Sequence, residues 1–253
     1  MKKKILAIVL CIAMLAIAIV GGTMAYFTDT KEQTNTFTAG KVEIGLDEAV
    51  VEKNAEGNYV AVAAGTRTHN NQDYHLFPGM TVVKDPTIYV QPGSEDAYIA
   101  AKITITSGEA GDLERIIGNN SGHGHMLDVT KIIRGGIAVP GASMKTDHPL
   151  MQRYPGMPVY GTDTYSAFQQ VGMSGSDYTG KYVIYVFIEN PMSAGQKITL
   201  FNEMFINPEW DNGEMEIMNG ATIHVMAFGT QTNGFADCYT AITTAFPEEF
   251  NFN

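Results

Sequence analysis

Apolar and polar residues alternate along much of this chain with a period of two. Val42, Ile44 and Leu46 alternate with Glu43 and Gly45, the pattern of a strand with one face buried. Ile99, Ala101, Ile103 and Ile105 share one face against Tyr98, Ala100, Lys102 and Thr104. Ile223, Val225 and Ala227 alternate in the same way with His224, Met226 and Phe228. From Tyr182 to Ile188 both faces are apolar, which predicts a central strand covered on both sides. Pro78-Gly79, Pro92-Gly93, Asn212-Gly213 and Asn219-Gly220 punctuate these runs as turns. Short strands at this spacing, without long helices between them, predict an all-β sandwich.

Helical periodicity is sparse. Asp112 to Ile117 and Asp128 to Arg134 are candidate short helices. The clearest helix runs from Ala236 to Phe246, where Phe235, Tyr239, Ile242 and Phe246 fall at i, i+4, i+7 and i+11, and Pro247 stops it. That stripe is expected to pack on the edge of the sandwich. Residues 135–180 are rich in Gly, Pro, Met and Tyr with little periodicity. They are expected to form the larger part of a loop insertion, about 107–180, between sheet strands.

The N-terminus has a different pattern. Lys2, Lys3 and Lys4 precede an uninterrupted apolar run from Ile5 to Val20, and Thr23 and Ala25 place small residues at the −3 and −1 positions of a cleavage site. The run is short of the ~20 apolar residues that cross a bilayer. Residues 1–25 therefore read as a signal peptide cleaved before Tyr26, and an uncleaved anchor would need Gly21 to Phe27 as well. Either way the body lies outside the cytoplasm. Residues 26–35 are then a polar N-terminal arm, and 36–253 the sandwich domain.

The order of residues around that site is specific. Gly21-Gly22-Thr23-Met24-Ala25-Tyr26-Phe27-Thr28-Asp29, a polar run, then Thr36-Phe37-Thr38-Ala39-Gly40 and an alternating strand resemble the N-terminus of the TasA/camelysin family. Phe77-Pro78-Gly79-Met80-Thr81-Val82-Val83-Lys84-Asp85-Pro86 and the tail Gly234-Phe235-Ala236-Asp237 are similar to the same family, while residues 107–180 are not. The resemblance implies a jelly-roll β-sandwich of two antiparallel sheets. It implies export from a Gram-positive bacterium, processing by a SipW-type signal peptidase, and residence in the extracellular matrix or on the cell surface. It also implies a fibre-forming subunit of the biofilm matrix, with itself and other matrix proteins as partners. Camelysin itself is classed as a metalloendopeptidase, so a cell-surface peptidase is the alternative.

The arm gives fibre formation a physical route. A free strand gains a ladder of hydrogen bonds by adding to an exposed sheet edge. When it adds to the next copy, the contact is head-to-tail and does not close, and a filament results. Tyr26, Phe27, Thr28, Asp29 and Thr30 are the expected polymer contact, with Tyr26 and Phe27 the only large apolar groups between residues 26 and 35.

Charge narrows the partners. The chain carries −11, and loss of the three leader lysines leaves 13 basic against 27 acidic residues, or −14. Nucleic acid and anionic lipid, which attract basic patches, are poor partners for such a surface. Cys11 lies in the leader behind Leu10, where a lipoprotein cysteine would follow a small residue, so Cys238 stands alone in the mature chain. No intramolecular disulfide is possible, and Cys238 is expected as a small buried apolar residue.

Candidate chemistry is thin. Gly175-Ser176-Asp177-Tyr178-Thr179-Gly180-Lys181-Tyr182 approaches a phosphate-binding loop, but Tyr182 stands in place of Ser or Thr and a strand follows instead of a helix. It reads as a turn. His123, His125 and Asp128 could contribute to a zinc site, yet no H-E-x-x-H pair is present. His69, His75 and His224 read as structural. Glu209, Asp211 and Glu214 around Asn212-Gly213 offer oxygen ligands for calcium without matching an EF-hand loop. Tyr154, Tyr160, Tyr165 and Tyr178 offer rings for a carbohydrate-binding alternative. No catalytic residue and no resident cofactor emerges, with zinc or calcium as the alternative.

Overall fold

The computed structural model describes residues 40–63, 65–109, 112–117, 143–144, 159–161, 165–174 and 177–250. The described strands are β1 Ile44–Ala49, β2 Val51–Lys53, β3 Tyr59–Ala61, β4 Arg67–Thr68, β5 Thr81–Val83, β6 Thr87–Val90 and β7 Ala97–Thr106. After helix α1, Asp112–Ile117, come β8 Ser143–Met144, β9 Val159–Gly161, β10 Tyr165–Ser174, β11 Asp177–Met192, β12 Lys197–Thr199 and β13 Glu203–Phe205. A 3₁₀ turn at Glu214–Met218, β14 Thr222–Gln231 and helix α2 Cys238–Ala245 follow.

The alternating runs form one six-stranded antiparallel sheet in the order β14-β7-β11-β10-β9-β8. Ile103 of β7 sits between Ile184 of β11 and Val225 of β14. Two four-stranded sheets, β12-β6-β1-β4 and β13-β5-β3-β2, contribute to the same core. Ile99, Ala101, Ile103 and Ile105 pack there with Ile184, Val186 and Ile188, and with Val82, Ile88 and Val90. Successive strands change sheet between β6 and β7, between β11 and β12, and again on the way to β14. The expected all-β sandwich is therefore what the chain forms, but its described strands make three sheets instead of two, and β3 meets β5 in parallel at Tyr59↔Val82 while the other pairings are antiparallel.

The apolar second face of Tyr182 to Ile188 has its predicted cover. Tyr185 and Phe187 join Tyr98, Ala100 and Phe228 in a second cluster with Cys238, Ala241 and Ile242 of α2 and with Phe250. The helix thus lies on the outer face of the large sheet, where the sequence reading placed it at the edge. The cause is local: the sheet's own apolar outer residues need a cover, and an edge would leave them wet. Asp237 sets the start two residues later than expected, because its carboxylate accepts the Thr240 amide at 2.7 Å as an N-cap.

One further difference has a physical cause. Tyr165–Ser174 forms β10 although it lies in the stretch read as aperiodic, because it pairs along β11 from Tyr165↔Ile188 to Ser174↔Asp177. Pairing supplied by a partner overrides a weak local pattern. Asn212-Gly213 forms a turn as expected, and Gly213, with φ −72, leads it into the 3₁₀ turn. By contrast, Gly93 has the positive φ of +84 that a tight turn favours. The candidate helix Asp112 to Ile117 forms as α1, whereas Asp128 to Arg134 lies outside the described residues.

Candidate strand-acceptor seam

β14 is the outermost strand of the large sheet. It pairs with β7 at ten consecutive positions, from Thr222↔Thr106 to Gln231↔Ala97. Its other edge meets no strand among the described residues. Natural sheets usually blunt such an edge with proline, charge or a bulge. The segment TIHVMAFGTQ has no proline, no lysine or arginine and no carboxylate.

The neighbouring edge, on β1, is treated differently. His69 Nδ1 lies 2.8 Å from the Leu46 carbonyl oxygen and Arg67 Nη2 donates to the Asp47 carbonyl at 3.1 Å. β4 pairs with Glu48 and Ala49. One side of the seam is thus capped and the other left open.

The two strands meet at one end and part at the other. A Cβ built on Gly229 would lie 2.8 Å from Ile44 Cγ2, so only glycine permits that closure. Toward Thr222 the seam widens into a cavity of about 250 Å³ lined by Leu46, Thr68, His69, Ile223 and Val225. A larger one of about 820 Å³ adjoins it, lined by Tyr74, Leu76, Ile105, Met204, Met218 and Ile223. Glu48, Asn71, Lys84, Ile223 and His224 line both. The lining is mixed apolar and polar, as a surface for an added strand requires.

An ion network holds the capped wall. Arg67 donates to Asp47 Oδ1 and to Asp85 Oδ2, each at 2.6 Å, and to the Asp85 carbonyl at 2.9 Å. Burial pushes the Arg67 guanidinium down, but the hydrogen bonds to Asp85 and Asp47 outweigh it and its pKa is raised. Lys84 Nζ meets Glu48 Oε2 at 2.6 Å, and Gln72 Nε2 donates to Glu48 Oε1 at 3.2 Å and to the Ala49 carbonyl at 2.8 Å. The Tyr74 hydroxyl is buried beside this pair with no hydrogen-bond partner among the described residues. Its pKa is raised by burial first, then by the charges of Glu48 and Asp85.

The sequence-predicted sites are distributed as follows. Thr23, Ala25, Tyr26, Phe27, Thr28, Asp29 and Thr30 lie outside the described residues, as do His123, His125 and Asp128. Asp211 and Glu214 exchange backbone-to-carboxylate hydrogen bonds at 3.1 and 2.8 Å across the start of the 3₁₀ turn. Among the described residues no group of three or more His, Cys, Asp or Glu is placed to hold a metal. His75 packs edge-on against Phe77 at 5.2 Å, and exposed His224 lines the seam. Cys238 is buried as expected, its thiol donating to the Ile99 carbonyl at 3.3 Å, and burial pushes its pKa up. Sequence reasoning found β14 but missed its open edge, for which a long strand lacking charge and proline was the available signal.

These contacts define a β-sandwich in which the outer edge of β14 meets no strand among the described residues and borders a seam. Residues 1–56 match the family model described as camelysin metallo-endopeptidase, a segment that runs from the leader through the arm to just past β2. The match bears out the TasA/camelysin resemblance over that segment. No curated protein and no solved structure gives a match. No helix among the described residues is long and apolar enough to cross a membrane.

Proposed function

We propose that this protein is an exported structural subunit that polymerises head-to-tail into extracellular fibres by donating its N-terminal arm. The observation that carries the reading is the ten-residue edge of β14, which meets no strand among the described residues. An added strand would satisfy that edge with main-chain hydrogen bonds, and its alternate side chains would fill the cavities beside it. The family match includes the whole arm and the leader, which fits a secreted or cell-surface location. Processing before Tyr26 by a signal peptidase makes the arm a free end. The peptidase alternative rests on the family description and on His123, His125 and Asp128, and no contact among the described residues favours it.

The arm's aromatic residues are the test. Fully burying a Phe side chain is worth roughly 1.5–3 kcal/mol, or about one to two decades of subunit affinity. Phe27→Asp is therefore expected to raise the protein concentration needed for polymerisation by at least that factor, with the monomer's thermal melt unchanged. If Phe27 instead staples its own subunit, the melt falls and assembly falls with it. Normal polymerisation with a normal melt would contradict the role given to Phe27.

A further inference from the structure

We infer that the larger cavity, about 820 Å³, is a small-molecule site of the unassembled subunit. Its ligand is an uncharged amphiphile whose polar end is a carbonyl, of the medium-chain amide or ester class. The volume lies within the roughly 300–1,000 Å³ of small-molecule pockets, which combine an apolar lining with a few placed polar groups. The inference concerns the walls of this cavity alone and does not depend on strand donation.

The apolar wall consists of Leu76, Ile105, Met204, Met218 and Ile223. It takes an alkyl chain out of water, and methionine adapts to irregular shapes. It gives a sugar or another polyhydroxyl compound too little to bond. The polar wall is Tyr74 and Lys84, side by side, with Nζ 5.7 Å from the centre of the Tyr74 ring. The buried Tyr74 hydroxyl has no partner among the described residues. Burial raises its pKa, so it stays protonated and is a donor. The Lys84 ammonium carries three donors, and its one hydrogen bond among the described residues goes to Glu48 Oε2. Buried donors left unmade are costly, and a carbonyl oxygen, with two lone pairs, can accept from both.

Charge selects the head group. Glu48 and Asp73 line the cavity with Lys84, two carboxylates against one ammonium, so a ligand carboxylate meets net repulsion. A ligand cation finds donors at Tyr74 and Lys84 where it needs acceptors. The polar wall is also preformed. The Tyr59 ring holds Tyr74 edge-on at 5.2 Å and 84°, and the Tyr59 hydroxyl accepts the His75 amide at 2.8 Å. Gln72 is fixed at both ends of its carboxamide: Oε1 accepts the Val51 amide at 3.0 Å and Nε2 donates to the Ala49 carbonyl at 2.8 Å. Such a site spares a ligand the cost of ordering it.

Calorimetric titration tests the site and its preference. N,N-Dimethyloctanamide, whose carbonyl accepts and which donates nothing, is titrated at pH 8 into the mature protein at a concentration where it is monomeric. Octanoate and octyltrimethylammonium are titrated beside it. The amide is expected to bind saturably, one per chain, at least tenfold more tightly than either charged analogue. Tyr74→Phe removes the hydroxyl and nothing else. That hydroxyl has no bond to lose, so the melt of the free protein should not fall, while the amide should bind about two- to tenfold more weakly, the worth of one hydrogen bond. A melt lowered by Tyr74→Phe would show the hydroxyl already bonded within the subunit and would overturn the inference. So would the absence of saturable amide binding, equal binding of either charged analogue, or wild-type affinity in Tyr74→Phe.

Discussion

Replacing Phe187 by alanine is expected to destabilise the folded body by about 3–5 kcal/mol, the usual cost of removing a large buried ring. Phe187 is 1 % exposed on β11, the strand paired on both sides in the large sheet. Its ring lies 5.6 Å from Tyr239 of α2 and 5.6 Å from Phe250, and Tyr185 and Phe228 contact Phe250 as well. The truncation would open a cavity under α2, which Met226 at the margin of the cluster could fill only in part. At about 2–4 °C per kcal/mol for a domain of this size, the melting temperature should fall by roughly 6–20 °C. Chemical denaturation of the monomer measures this directly, and a loss under about 1 kcal/mol would show that the helix does not seal the sheet as described.

Glu48→Ala should cost a comparable amount, about 3–5 kcal/mol, for a different reason. Lys84 is only 9 % exposed and its ammonium is held by Glu48 at 2.6 Å. Removing the carboxylate leaves a buried charge without a counter-ion and leaves one Gln72 hydrogen bond unmade. Truncating both partners by Glu48→Ala with Lys84→Met should recover much of the loss, since the charge no longer needs a partner. Equilibrium denaturation of the single and double variants decides it. A double variant no more stable than Glu48→Ala would contradict the pairing as the cause.

Much of this fold was legible because its signals are local. Ile99, Ile103, Ile105, Val225 and Ala227 reveal their strands by alternation alone, and the apolar second face of Tyr185 and Phe187 announces that something covers it. The sequence could not say what. That α2 lies over the sheet's outer face depends on which side Tyr98, Ala100 and Phe228 present, a matter of register between distant strands. β10 was hidden for a related reason: Tyr165–Ser174 becomes a strand through its partner β11. Asp211 and Glu214 each accept a backbone amide of the other, a pairing across a turn that spacing alone does not reveal.

The seam was the least legible feature. It needs Gly229 beside Ile44, the caps on β1 from Arg67 and His69, and the β14 edge that meets no strand among the described residues, from segments far apart in the chain. The proposed donor, by contrast, comes from residues 21–40 of the sequence alone, of which 21–39 lie outside the described residues. Donor and acceptor thus come from different kinds of information. Their agreement is what the proposed assembly rests on.

That agreement is tested most directly by removing the donor. The mature protein lacking Tyr26 to Thr34 is imaged by electron microscopy beside the full-length mature protein, at the same concentration and with matched thermal melts. Strand donation predicts folded monomers with an unchanged melt and no fibres. Fibres of normal length from the shortened protein would contradict it.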